Sequence, residues 1–444
     1  METTPQPQLP RREKVAYAAL YTLLAEEEDA RVCRDIPDAA CHEQPAAFTL
    51  QLAAQTLSKL GDALSSSRLV LAWILTSLGA PAIYLSLLVP LRESLSLLPQ
   101  LAVARALRER PLRKGFWVAG GFTQAAALAA MVPALFLLEG HALGVAVCLL
   151  LAVFSLARGV CSVAAKDVLG KTVSKSRRGR LTGLAGSAAG LATLVVAGLL
   201  VVAGGRDAAE SGLFAGLLAA AALAWAAAAL VYARVPEVPG ATGGGGNALD
   251  EALRSLRLLR DDAPFRDFVI ARSLLVATAF AIPYLVVLLR ASGAGDLALG
   301  TLLLAEGLAA LLSAPFWGFW SDVASHRVMA AAALLSALGL GLALLLAGEG
   351  ALGSGFVGAA LLFLCAVAHQ GARVGRKTYL VDLASGENRA AYTAVSNTVL
   401  GIVLFAGVGL GVIDTLLGTR AVLAALALIA LAAALRCGTL QRVD

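Results

Sequence analysis

The sequence predicts an all-α membrane protein with many spans, and three observations carry that prediction. Of 444 residues, 59% are hydrophobic and only 15% are charged, whereas a soluble chain carries about 25% charged residues. The apolar residues fall in long blocks separated by charged punctuation, and the mean hydropathy is +0.78; this is the pattern of repeated membrane crossings. The basic residues collect in alternate breaks, as the positive-inside rule requires of a multi-span chain.

In chain order, residues 1–46 read as a polar, partly helical cytoplasmic extension. A first span covers about Phe48 to Leu78. Its start is polar, with Gln51, Gln55, Lys59, Asp62 and Ser66 recurring on one face. The turn at Gly79-Ala-Pro81 leads into a second span, Ala82–Leu107, which carries Arg92, Glu93 and Pro99. The third is about Gly115–Leu138, and the fourth, Ala142–Gly170, holds Arg158, Lys166 and Asp167. The fifth (Leu181–Ala203) and sixth (Gly212–Ala233) close a first half at 47–233. A central loop at 234–264 contains Gly243–Gly246 and a short amphipathic stretch near Leu249–Leu259. A second half at 265–436 repeats the count: Phe265–Leu289, Leu297–Phe319, Val328–Ala347, Gly355–Leu383, Ala390–Leu410 and Ala421–Leu435. A short tail, 437–444, follows. Twelve spans are expected, six on each side of the loop.

Orientation follows from the charges. One set of breaks holds Arg108, Arg110, Arg113, Lys114, Lys171, Lys175, Arg177, Arg178, Arg180, Arg234, Arg254, Arg257, Arg260, Arg327, Arg389 and Arg436. The other holds Arg206, Arg290 and Arg420. Both termini are therefore expected on the cytoplasmic side of a bacterial-type inner membrane. The net charge of +6 needs no nucleic-acid partner, because basic loops beside spans orient the chain. Cys148, Cys161 and Cys365 lie within spans as small hydrophobes. Cys33, Cys41 and His42 share the N-terminal segment in no standard zinc spacing; they read as reduced thiols, and no metal or cofactor is expected. Gly243–Gly246 lacks the Lys-Ser/Thr of a phosphate loop. No nucleophile–base constellation has a soluble context, so an enzyme is not expected.

The halves look like parallel duplicates. Lys166, Arg178 and Gly190 correspond to Lys377, Arg389 and Gly401 at one constant offset. Pro315 to Arg327 and Pro99 to Arg110 each follow an apolar span and end in a charged turn. Over about residues 48–436 the chain resembles the major facilitator superfamily, MFS. That family's loop motif is matched by Gly318, Asp322 and Arg327, while Ala102 and Ala106 replace its Gly and Asp in the first half. The resemblance implies two pseudo-symmetric six-helix bundles around a cavity, with the first and fourth helix of each half lining it and the third and sixth facing lipid. The near absence of polar side chains in the third, sixth, ninth and twelfth spans agrees with that assignment.

Charges inside a membrane face water or a partner. Lys59 and Asp62, three apart, read as an internal ion pair or a proton or substrate site. Glu93 and Glu306 are candidate proton carriers, or salt-bridge partners of Arg92, Arg158 or Lys59. His369 is a hydrogen-bonded structural residue or a proton switch; His369, Arg373 and Lys377 share one helix face, with Arg376 beside them. Asn397 is a neutral hydrogen-bonding group. In the family, basic residues at such helix ends join inter-domain salt bridges, which assigns Lys166, Arg376 and Lys377, with Asp167, Asp322 and Asp382 as partners, to an inner gate. Intramembrane cations outnumber anions, which favours an anionic substrate held bidentately by Arg. The resemblance implies a monomeric secondary active transporter in the lipid bilayer, moving a small molecule by alternating access with proton coupling. The alternatives are proton-antiport efflux of an amphiphilic compound, and a transporter-like membrane sensor with residues 33–42 as its input.

Overall fold

In the computed structural model, residues 11–25, 36–97, 106–107, 109–203, 210–240, 242, 256–293, 298–350, 352, 355–384 and 389–443 are described. Cys33, Pro99, Ala102, Arg108, Arg206, Arg254 and Gly243–Gly246 lie outside them. The described residues form helices joined by turns, with no strand among them. Helix α1 is Arg11–Ala25, α2 is Asp38–Leu64, α3 Val70–Ser77, α4 Ala82–Leu97, α5 Lys114–Leu137, α6 Gly140–Thr172, α7 Lys175–Ala203 and α8 Glu210–Ala233. After the central segment come α9 Leu258–Asp261, α10 Ala263–Leu274, α11 Ala277–Ala291, α12 Ala298–Gly348, α13 Gly355–Leu383, α14 Arg389–Ala406, α15 Gly409–Leu417 and α16 Thr419–Gly438.

Nine stretches among the described residues are long and apolar enough to cross a membrane, Leu299–Gly348 counted as one. That stretch is broken at Ala324, whose backbone is not helical. The charged turn Ser321 to Arg327 supplies the break. Elsewhere tight glycine turns join helices. Gly418 (φ 83°) alone separates α15 from α16, and Gly79 (φ 71°) follows α3. A side chain with a Cβ pays a steric penalty in that left-handed region, so glycine makes these reversals.

Helices α2–α8 pack mainly on one another, as do α10–α16. Small residues set the spacing. A Cβ at Gly61 would stand 2.6 Å from Trp225, and one at Gly120 would stand 2.6 Å from Cys161. Close backbone approach of this kind drives association where lipid removes the hydrophobic term. The outward faces stay apolar: Leu199, Phe319, Phe356 and Leu435 are all well exposed, which suits hydrocarbon rather than water.

Three expected spans are interrupted, two near their middles and one near its end. The first span breaks at residues 65–69, between α2 and α3. Ser65, Ser66 and Ser67 fill this break, and serine hydroxyls compete for backbone groups; Ser65 Oγ donates to Gly61 O at 2.7 Å. The seventh breaks at Leu275-Val276, between α10 and α11. The eleventh breaks at Gly407-Val408, where a Cβ on Gly407 would stand 2.3 Å from Phe280.

The N-terminal segment is docked rather than detached. Helix α1 packs on α2, with Tyr21 edge-on to Phe48 at 5.3 Å. Gln44 donates to Tyr21 Oη at 2.7 Å and accepts from Ser174 N at 2.9 Å. Cys41 is disulfide-bonded, which corrects the expectation of a reduced thiol there; its expected neighbour Cys33 is outside the described residues.

Candidate functional site

The two helix groups meet near the turns at Gly79 and Gly418. Arg290 at the end of α11 lies over the Trp73 ring of α3 at 4.9 Å. Ser94 Oγ of α4 donates to Gly401 O of α14 at 3.1 Å. Further along, a Cβ on Gly411 of α15 would stand 2.5 Å from Ser86 Oγ. Gly300 and Gly307 of α12 approach Val201 and Leu194 of α7. At the other end Lys166 and Lys377 are exposed. The groups are thus in contact at one end, and these two lysines are exposed at the other.

Between them lies a cluster of charges supplied by both groups. Asp62 accepts from Arg92 Nη2 at 3.0 Å and pairs with Arg158 Nη2 at 2.9 Å. Arg92 also lies over the Phe154 ring at 5.1 Å, and Arg158 over Trp225 at 5.3 Å. Lys59 is not the partner of Asp62, although it stands three residues away. Its Nζ donates to Thr182 O at 3.0 Å, because the helix turns it toward α7.

The centre of the cluster is a cavity of about 20 Å³ lined by Glu93, Thr278, His369, Arg373 and Arg376 among others. Glu93 is within electrostatic reach of Arg68, Arg92, Arg373 and Arg376, and Glu306 of Arg68 and Arg373. His369 is 6% exposed. One ring nitrogen meets the Arg68 guanidinium and the other stands 3.1 Å from Thr278 Oγ1. Arg68 is the residue that sequence reasoning missed. It sits in the Ser-rich break of the first span, and the signal for it was a cation twenty residues into an apolar stretch directly after three serines. Beyond the cavity, the exposed Lys377 is within reach of Arg373, Arg376, Lys166 and Lys59, a run of positive charge.

Other expected site residues fall outside this cluster. Asn397 Oδ1 accepts from Arg272 Nη2 at 2.8 Å, and Ser396 Oγ meets Nη1 of the same side chain; this ties α10 to α14. Asp167 is bound within its own half, to Arg113 and to Lys171 at 3.1 Å, instead of reaching Arg376 or Lys377. Both Lys171 and the loop lean on Glu237, a residue not foreseen. Glu237 accepts from the backbone N–H of Arg113 (2.7 Å) and Lys114 (2.8 Å) and pairs with Lys171 at 2.6 Å. Asp322, Arg327 and Asp382 are exposed. A Cβ at Gly318 would meet nothing within 4 Å, so packing in this conformation does not demand glycine there. No group of three metal-ligating side chains occurs among the described residues.

The described helices are bundled around a buried charged cavity. The chain has the fold of the major facilitator transporters. Among solved structures it is similar to a POT family transporter in complex with 5-aminolevulinic acid: TM-score 0.67, 11% identity, over 87% of this chain and 94% of that one. It is similar to a D-xylose-proton symporter with TM-score 0.66 and 14% identity, over 89% and 98% of the two chains. It also matches the inward-open conformation of the xylose transporter XylE from E. coli, with TM-score 0.66 and 13% identity over 90% and 97%. No protein-family model and no curated protein matches the sequence.

Proposed function

We propose that the protein is a secondary active transporter of small organic anions, coupled to protons. It works as two six-helix halves, twelve spans in all, rocking about the central charge cluster. The observation that carries this reading is the excess of positive charge between the halves. Arg68, Arg373, Arg376, Lys377, Lys166 and Lys59 are linked electrostatically, against Glu93 and Glu306. A guanidinium left without a fixed partner in a membrane interior binds carboxylate or phosphate in a forked geometry. Arg373 and Arg376 are the central ligands of that anion, and Lys166 and Lys377 attract it at the mouth. Asp62 with Arg92 and Arg158 forms a neutralised scaffold behind them. In this reading the exposed lysines face the cytoplasm of a bacterial-type cell, together with the basic loops and both termini.

One similar structure is a POT family transporter in complex with 5-aminolevulinic acid, and another is named a D-xylose-proton symporter. They support small-solute transport, and the charge cluster argues for an anion in this chain. The test is flux in proteoliposomes with an imposed pH gradient, using panels of anionic and cationic metabolites. Anion uptake driven by an acidic exterior, and abolished in Arg373→Glu, is expected. Uptake of cations alone, or no flux of any solute, overturns the reading; the latter favours the sensor alternative.

A further inference from the structure

The bond between Arg68 and His369 joins the two helix groups at the level of the cavity, and its chemistry restricts the protonation state of the ring. An arginine guanidinium only donates hydrogen bonds. The ring nitrogen that meets it, Nε2, therefore accepts through a lone pair. The proton of the neutral ring is then on Nδ1, from which it is donated to Thr278 Oγ1 at 3.1 Å. The Thr278 hydroxyl passes its own proton on to Leu275 O at 2.8 Å. Every donor in the chain Arg68, His369, Thr278 points the same way, and the chain ends on the Leu275 carbonyl at the break between α10 and α11, which also accepts from Thr278 N at 3.1 Å.

We propose that His369 is the proton-binding residue of the transport cycle, and that protonation of its Nε2 releases Arg68 from the second half so that the guanidinium becomes a ligand for the substrate anion. The proposal rests on the reading of the site as an anion transporter and names its coupling element. A proton added to Nε2 uses the lone pair that accepts from Arg68. Two N–H groups and two positive charges would then face each other, so the bond between the halves breaks. No other covalent bond changes. One proton enters per release, and it leaves when Arg68 returns to the ring.

The cations around His369 oppose a positive charge on the ring, so a proton is held there only when Arg68 moves away or an anion arrives. Arg373 and Arg376 on its own helix and Arg68 from the first half are cations. Glu93 of α4 lines the same cavity, and Glu306 of α12 is within reach of Arg68 and Arg373. Thr278 of α11 is neutral, and α14 contributes Leu400 and Leu404. A second positive charge on the ring is accommodated when Arg68 swings toward Glu93 or when an anion enters between Arg68 and Arg373. This gives binding order a physical basis: proton and anion stabilise one another across about one side chain's length.

The test uses the full chain in liposomes with no substrate. Spin labels at Arg180→Cys and Val381→Cys report the separation of the two groups at the end with the exposed lysines, and nitrogen NMR of the four histidines reports ring protonation. The His369 signal is identified by its loss in His369→Gln. In the unsubstituted chain, acidification is expected to convert His369 from the neutral Nδ1–H form to the doubly protonated form. The label distance should change in the same pH interval, with the population ratio moving up to tenfold per pH unit for one proton. His369→Gln keeps an acceptor for Arg68 but cannot become a cation, and should hold one distance across pH 5 to 8. Arg68→Met should hold the released distance at all pH values, whereas Arg68→Lys, which keeps charge and donor, should restore the pH dependence. A pH-dependent distance that persists in His369→Gln or in Arg68→Met overturns the proposal. So does a His369 ring that stays neutral through the transition. Because no substrate is present, a failed anion screen leaves this result standing, and a failed pH response leaves anion flux to be judged on its own.

Discussion

Asp62 holds two arginines at once, and replacing it by asparagine tests whether the charge cluster is a scaffold. The carboxylate lies 3.0 Å from Arg92 and 2.9 Å from Arg158, and the three side chains are 19–27% exposed. At such separations each attraction is on the order of 5 kcal/mol with an effective dielectric near 20, before desolvation is subtracted. Asparagine keeps the shape but leaves both guanidiniums without a counter-charge. Removing one partner of a buried ion pair costs about 3–5 kcal/mol. Two features lower that figure here. Some water reaches all three groups, and the rings of Phe154 and Trp225 still cover the cations, each such contact being worth about 0.5–2 kcal/mol. The expected loss is therefore about 3 kcal/mol, at the lower end of that range. Denaturant unfolding in mixed micelles measures it. Arg158→Met in the same background sharpens the argument, because it leaves Asp62 and Arg92 as a neutral pair. The double variant should be destabilised by less than the sum of the two singles. A change in Asp62→Asn within about 0.5 kcal/mol of the parent, the range of an ordinary surface substitution, would refute the scaffold.

Three further outcomes follow from single contacts. Glu237→Ala removes the acceptor of two backbone N–H groups and the partner of Lys171; a loss of about 3 kcal/mol is expected, with faster tryptic cleavage at the segment 109–114, and unaltered cleavage would count against the clasp. Gly411→Val places side-chain atoms where Ser86 already stands 2.5 Å from a Cβ. It should wedge this end of the groups apart and raise thiol labelling of an Ala279→Cys reporter from the outer side several-fold; unchanged labelling would show that the contact does not seal this end. Gly61→Leu pushes into Trp225 and the Ala221 carbonyl, an overpacking expected to cost about 1–3 kcal/mol in thermal stability, whereas Gly318→Ala, in open space, should cost little by the same measurement.

Much of the architecture was legible because lipid imposes a blunt requirement. Every span must be apolar, and the breaks must be short or charged. Spacing alone could put His369, Arg373 and Lys377 of α13 on one helix face. What spacing could not reveal was the choice of partner. Lys59 and Asp62 share a face by the i, i+3 rule, yet the lysine is drawn to a carbonyl on α7 and the carboxylate to arginines on α4 and α6. A carboxylate with two guanidiniums in reach gains more from their forked donors than from one flexible ammonium. Asp167 was equally ambiguous. Its partners Arg113 and Lys171, and the Glu237 that braces the second of them, come together only after three helices have packed.

Arg68 shows where reading by span fails, and also how the duplication could have repaired it. A span counted as one continuous helix gives a residue one face and one depth. The break at residues 65–69 removes that constraint and lets Arg68 cross to the second half. The offset that carries Lys166 onto Lys377 also carries Ser65 onto Val276, and both positions are breaks. Neither residue resembles the other, since one break is made by serines and its counterpart by Leu275-Val276 under a threonine. The function of the two breaks is nevertheless shared: each delivers one polar side chain, Arg68 or Thr278, to opposite nitrogens of the same imidazole. A duplicated fold therefore constrains where a helix must open more tightly than it constrains what opens it. A break seen in one half is a reason to look at the matching position in the other, even where the composition there gives no signal.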